Sequence, residues 1–457
     1  MTLRTPLLLL ALAACDRNPA DTPPPPAPEP PPPARVVVSS CPTAVRPVPV
    51  SFEPRLRLGD RDGITWLYGQ TAQGPALAHL GVDDRLVLTP VALRDASAGA
   101  LDGPRLWLAA ADAPTRWQPV DLTDPERPIP GEVAALTTGA APGRLAAFAV
   151  GRARALVLTG AENQLELSLL DTATGTNVAP PQPLALTFNP LHAFCDDDSC
   201  SLVALDNAPE ADITVHLIVV RVLADGTLEQ ERIAADPPGY PRAARHGDRV
   251  VVAWPTADGL RLRALDRDGR LLGASVPTPW ASKNLHDIRL FQADEALVLA
   301  VRSEDLWSVA HVGPHGNPGP LRGLTGATSR ALFAAPMRDG LAWVELGDAI
   351  PEAELGVGVM TAAWQVEAFG GFLPNTGDPA PPARLTLDGP ERADPVPHIL
   401  TRPGAAAVLL TSPGDAGAAT NTFALLRATC PPPADPLHPK APAPREPTPD
   451  ETCREAP

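Results

Sequence analysis

From Val36 to Cys430 the chain is a succession of short apolar runs cut by Gly, Pro, Asp and Asn. The runs have the length of β-strands, and no long stretch keeps helical spacing. Strand-like runs recur at Ile64–Tyr68, Leu106–Ala110, Leu156–Thr159, Leu202–Asp206, Val250–Trp254, Leu297–Val301, Leu341–Glu345 and Ala405–Leu410. Most are about 40 to 50 residues apart, the length of one four-stranded propeller blade. The pattern predicts an all-β fold, a single β-propeller of about eight four-stranded blades, with seven as the alternative.

Turn signals run in phase with these strands. Asp225-Gly226 and Asp268-Gly269 sit at matching places one repeat apart, and Thr174-Gly175 and His315-Gly316 fall at equivalent positions. Such pairs tolerate the positive φ of tight turns, and they predict the connection between the two outer strands of a blade. The interval from Leu341 to Ala405 is too long for the repeat by about twenty residues. The excess is assigned to Val366 through Pro382, read as a long inter-strand loop. Within it, Phe369 and Phe372 flank two glycines ahead of Pro374-Asn375. Loops on a rigid scaffold commonly carry function, so Phe369, Phe372 and Asn375 are the candidate partner-binding residues. The bland alternative has both phenylalanines folding back to cap a hydrophobic gap.

The two ends differ from the middle. Arg4 precedes an apolar run from Leu7 to Ala13, followed by Ala14 and Cys15. A positive start, a brief apolar core and small residues form an export signal and not a membrane span. Leu12-Ala13-Ala14-Cys15 resembles the lipobox of bacterial lipoproteins. The resemblance implies that Cys15 is lipidated and becomes the first residue of the mature protein. It places the protein outside the cytoplasm, on the cell membrane or the outer membrane. Residues 1–14 are then the signal peptide, 15–35 the lipidated Cys and a Pro-rich tether, 36–430 the propeller and 431–457 a Pro-rich tail. The tether favours polyproline II and spans roughly 60 Å. Neither tail can form a packed core, and both are expected to be disordered.

Five cysteines remain after Cys15. An exported chain permits disulfides. Cys195 and Cys200 flank Asp196-Asp197-Asp198-Ser199 and predict a hairpin closed by a bridge. Cys41 and Cys430 end the two terminal strand-like segments, and their bridge would staple the ring. Cys453 is the odd one.

Net charge is −16, spread along the chain, which argues against nucleic acid, a partner that needs a basic face. Chemistry is sparse. Asp60-Arg61-Asp62-Gly63 and Asp266-Arg267-Asp268-Gly269 resemble the end of propeller calcium loops. The first ligand position is Leu58 or Ala264, so the oxygen cage is incomplete and a plain hairpin turn is expected. Asp171-Thr-Ala-Thr-Gly175 resembles a quinoprotein-type repeat without its Trp, and Val120–Pro128 resembles a bacterial propeller repeat segment. His192 has no partner at zinc-ligand spacing. No hydrolase elbow, metalloprotease motif or P-loop occurs. Trp66, Trp107, Trp254 and Trp343 read as packing between blades, or else as an aromatic platform at the channel mouth. No catalytic residue, metal or cofactor is assigned. The expected role is a non-enzymatic, lipid-anchored binding or scaffold protein of the bacterial envelope, its partner an envelope protein or glycan. The alternatives are a propeller enzyme acting on polysaccharide and an envelope assembly factor.

Overall fold

The eight recurring runs become the second strands of eight antiparallel sheets. A computed structural model describes residues 48–427, apart from 113, 137–143, 162–163, 185, 187–189, 208–214, 236, 238–239, 279–284, 294–295, 304–305, 325–328, 349–365, 376–382, 386–395 and 413–419. All of these belong to one unit, Ser39–Pro457. The second strands are Ile64–Thr71, Arg105–Ala110, Arg154–Ala161, Cys200–Asn207, Arg249–Thr256, Ala296–Ser303, Gly340–Asp348 and Ala405–Ser412. They define blades 1 to 8 of a β-propeller, and the described residues contain no helix.

These strands stand out in the sequence because both their faces are buried. In blade 4, Leu202 and Ala204 pack toward blade 3, while Val203 and Leu205 pack toward blade 5. The core is therefore eight apolar clusters, one between each pair of neighbouring blades. Trp66, Trp107, Trp254 and Trp343 all lie in these clusters and are at most 4% exposed, so they pack between blades and form no platform. One carboxylate shares this interior. Glu345, in the second strand of blade 7, is 3% exposed, and burial pushes its pKa up to about 7.

The turns fall where the glycines predict. Gly175, Gly226, Gly269 and Gly316 have φ between 68° and 86° and join third to fourth strands. Each of these turns also reaches back to the preceding blade. A Cβ on Gly226 would lie 2.5 Å from the Ala179 Cβ, and one on Gly269 would lie 2.3 Å from the Ser201 Oγ. Only hydrogen fits there, so at these two positions glycine serves both the turn and the blade contact. Asp62 and Gly63, both at positive φ, form the first hairpin turn of blade 1 as expected. Asp171 and Asp225 act as turn caps, accepting backbone N–H bonds from Thr174 and Thr227. Those bonds hold both carboxyls below the usual range.

Blade 8 takes strands from both ends of the chain. Val48–Pro49 pairs with Thr420–Arg427, with Val48 opposite Phe423. Closure is reinforced by side chains of blades 1 and 8. Thr65 and Thr401 hydroxyls lie 2.7 Å apart, and Arg402 pairs with Asp84 of blade 1. Cys15, Cys41, Cys430 and Cys453 lie outside the described residues, as does the expected closing segment Val36–Cys41.

Candidate functional site: the central channel

The first strand of each blade pairs on one side only. Phe52–Arg61, Ala98–Asp102, Arg144–Val150, His192–Cys195, Arg242–His246 and Leu285–Ala293 are the inner strands of blades 1 to 6. Their free edges present unpaired N–H and C=O groups inward. The result is a cavity of about 930 Å³ walled by these six strands. Inner strands of blades 1 and 6 approach within 8 Å across the ring, Cα to Cα.

The cavity reaches the face that carries the first-to-second-strand turns, where its lining turns polar. In blade 1, Arg57 pairs with Asp60 at 2.7 Å and Arg61 with Asp62 at 3.0 Å. Asp60 also accepts from the Thr65 hydroxyl, and Arg61 donates to the Gly103 carbonyl. These charges are balanced locally. Asp60 is a hairpin residue already engaged by Arg57 and Thr65, which answers the structural half of the expectation for this loop.

The opposite wall is different. Arg245, on the inner strand of blade 5, donates from Nε to the Gly247 carbonyl at 2.8 Å. Its backbone N–H donates to Gln292 Oε1 of blade 6 at 3.0 Å. Gln292 thereby satisfies one free-edge group and fixes the backbone of Arg245. Among the described residues Arg245 makes no salt bridge. Beside it, His192 of blade 4 stacks on Phe194 with ring centroids 6.1 Å apart. The His192 Nε2 is buried without a partner. Burial and the Arg245 charge together lower its pKa to about 4, so the ring is neutral at pH 7. At the rim, burial raises the Asp102 carboxyl. Arg245 opposes that rise, Asp197 adds to it, and Arg105 and Arg152 oppose it again.

Other sequence candidates resolve in different ways. Cys195 and Cys200 form a disulfide, directly opposite one another in the hairpin of blade 4. The three aspartates they enclose form a solvated tip, of which Asp196 pairs with Arg267 of blade 5 at 3.2 Å. The Phe369–Asn375 segment is not a loop. Val366–Pro374 is the third strand of blade 7, with Gly371 opposite Trp343 and Phe369 opposite Glu345. The two glycines are packing notches and not a hinge: a Cβ on Gly370 would meet Leu426 at 2.6 Å, and one on Gly371 would meet Trp343 at 2.8 Å. Phe372 is half-buried against the cluster between blades 7 and 8. Asn375 is exposed, yet its Nδ2 donates to the Arg338 carbonyl at 2.9 Å and its backbone N–H to that of Asp339 at 3.0 Å. The surplus length of this repeat falls instead in 349–365, outside the described residues. The channel residues Arg245 and Gln292 carry no motif, and nothing in their local sequence singles them out.

No protein-family model matches the chain, and no curated protein matches it in sequence. Solved structures of similar arrangement include the WD40 domain of SCAP from fission yeast, at 10% identity and TM-score 0.45 over 85% of this chain and 98% of that one. AztD from Citrobacter koseri is similar at 12% identity and TM-score 0.43, over 76% of this chain and 91% of that one. A prolyl endopeptidase is similar at 10% identity and TM-score 0.43, over 79% of this chain. The chain spans about half the length of that peptidase, 54%. Likenesses at this level say nothing of activity or ligand, and the propeller rests on the strand topology itself.

Proposed function

We propose that this chain is a lipid-anchored binding propeller of the bacterial cell envelope, held by Cys15, whose ligand enters the central channel from the face bearing the first-to-second-strand turns. The observation that carries the binding role is the channel itself, a cavity of about 930 Å³ walled by six inner strands, with charged side chains gathered at one end. That size lies within the range of ligand pockets. The anchor rests on Leu12-Ala13-Ala14-Cys15 behind its apolar run.

Two measurements test the two halves. Cys15→Ser is expected to leave the membrane fraction or to stay unprocessed; normal maturation and fractionation would end the anchor reading. Native mass spectrometry of protein drawn from envelopes is expected to show a bound small molecule or peptide that Ala147→Trp, in the channel wall, excludes. A ligand still held by Ala147→Trp would place binding elsewhere, and an empty parent protein would remove the channel reading.

A further inference from the structure

We propose that the Arg245 end of the channel is a carboxylate-binding site. The inference rests on the channel being the binding site and adds what it binds.

Arg245 and His192 come from inner strands of adjacent blades and line the same cavity. Arg245 has its Nε committed to Gly247, while no acid among the described residues pairs with its two terminal Nη groups. The other two arginines of the cavity lining, Arg57 and Arg61, both form ion pairs, whereas Arg245 forms none among the described residues. The nearby acids stop short of it: Asp102 and Asp197 act on this region as charges, and neither forms an ion pair with Arg245. Its guanidinium fork is matched in shape by a carboxylate, which it can hold through two parallel N–H bonds.

Gln292 holds the backbone of Arg245 and the Gly247 carbonyl holds its Nε, so the guanidinium is positioned before any ligand arrives. His192 Nε2 stays buried beside it.

Free carboxylic acids and peptide C-termini share this chemistry, and titration of the full chain separates them. Octanoate is compared with octanamide, and acetyl-Leu-Ala-Ala with its C-terminal amide, by calorimetry at pH 7.5. At least one acid is expected to bind ten-fold or more tightly than its amide, and which acid binds identifies the source. Arg245→Gln should weaken that acid to the level of the amide, while Arg85→Gln, an exposed arginine outside the channel, leaves it unchanged. Acid and amide binding equally, with both lost in Ala147→Trp, would overturn the carboxylate site and leave channel binding standing. No binding of any of the four probes would overturn the carboxylate site on the unaltered protein, with no dependence on how a variant folds. The channel reading is then judged separately by the ligand recovered from envelopes.

Discussion

At the scale of single residues, one buried carboxyl outside the site makes stability depend on pH. Glu345 is buried between blades 6 and 7, and its folded pKa of about 7 exceeds the ordinary carboxyl value. The folded state thus holds a proton that the unfolded state releases. Stability from this group is full below the unfolded pKa and falls as pH rises through the window up to about 7. The loss reaches about 3 kcal/mol by pH 8. Glu345→Gln is expected to melt higher than the parent at pH 8, with the gap closing toward pH 4. A gap that does not change with pH would show that Glu345 keeps its charge when folded. The turn aspartates act in the opposite sense. Asp171 and Asp225 are held low by backbone N–H bonds, so their contribution is present at neutral pH and disappears on acidification below the usual carboxyl range. Asp225 was legible as a turn residue because Asp directly ahead of Gly has one local role, whereas Asp171 stands four residues before Gly175 and was not. Arg245 and His192 were not, because they lie a repeat apart and meet only when two inner strands are set side by side.

At the scale of strands and hairpins, burial on two faces decides what could be read. Leu202 to Leu205 form an unbroken apolar run because alternate residues serve different clusters. Inner strands such as Ala98–Asp102 are only half-buried throughout and carry no such signature. Val366–Pro374 looked like a loop for a related reason: paired glycines usually break a strand, and the bulk they accommodate, Trp343 and Leu426, is distant in sequence. Gly371→Ala should therefore act on folding. It is expected to lower stability by about 1–3 kcal/mol, the cost of overpacking a filled site, and a melting temperature equal to the parent's would show that the notch is slack. The blade 4 hairpin offers a separate test. Replacing Cys195 and Cys200 with Ala is expected to cost about 2 kcal/mol for so short a loop in the chain-entropy account. Denaturant titration measures it, and a stability equal to the parent's would mean that the strand pairing alone holds the turn.

At the scale of the whole ring, eight similar interfaces share the stability, and a lesion in one is felt as a core lesion. Leu202→Ala, at a fully buried position between blades 3 and 4, is expected to cost about 2–5 kcal/mol. A smaller loss in a denaturant titration would show that the neighbouring blades collapse onto the gap. The repeat was legible as a count of runs, and the closure only as an expectation of paired ends. Its register was hidden because Val48–Pro49 is too short to carry a pattern.

Blade 8 has a consequence for the order of events in synthesis. Its outer strand is made first and its remaining strands last, so the outer strand must wait, unpaired, while seven blades emerge. Until Thr420–Arg427 is released, blades 1 and 7 each keep an apolar flank uncovered, Leu67 and Ala78 on one side and Val344 and Ala342 on the other. A nascent chain cut short after blade 7 is a horseshoe with two sticky ends. Such a fragment is expected to be digested or to pair with another copy, so quality control of this protein acts on its final strand.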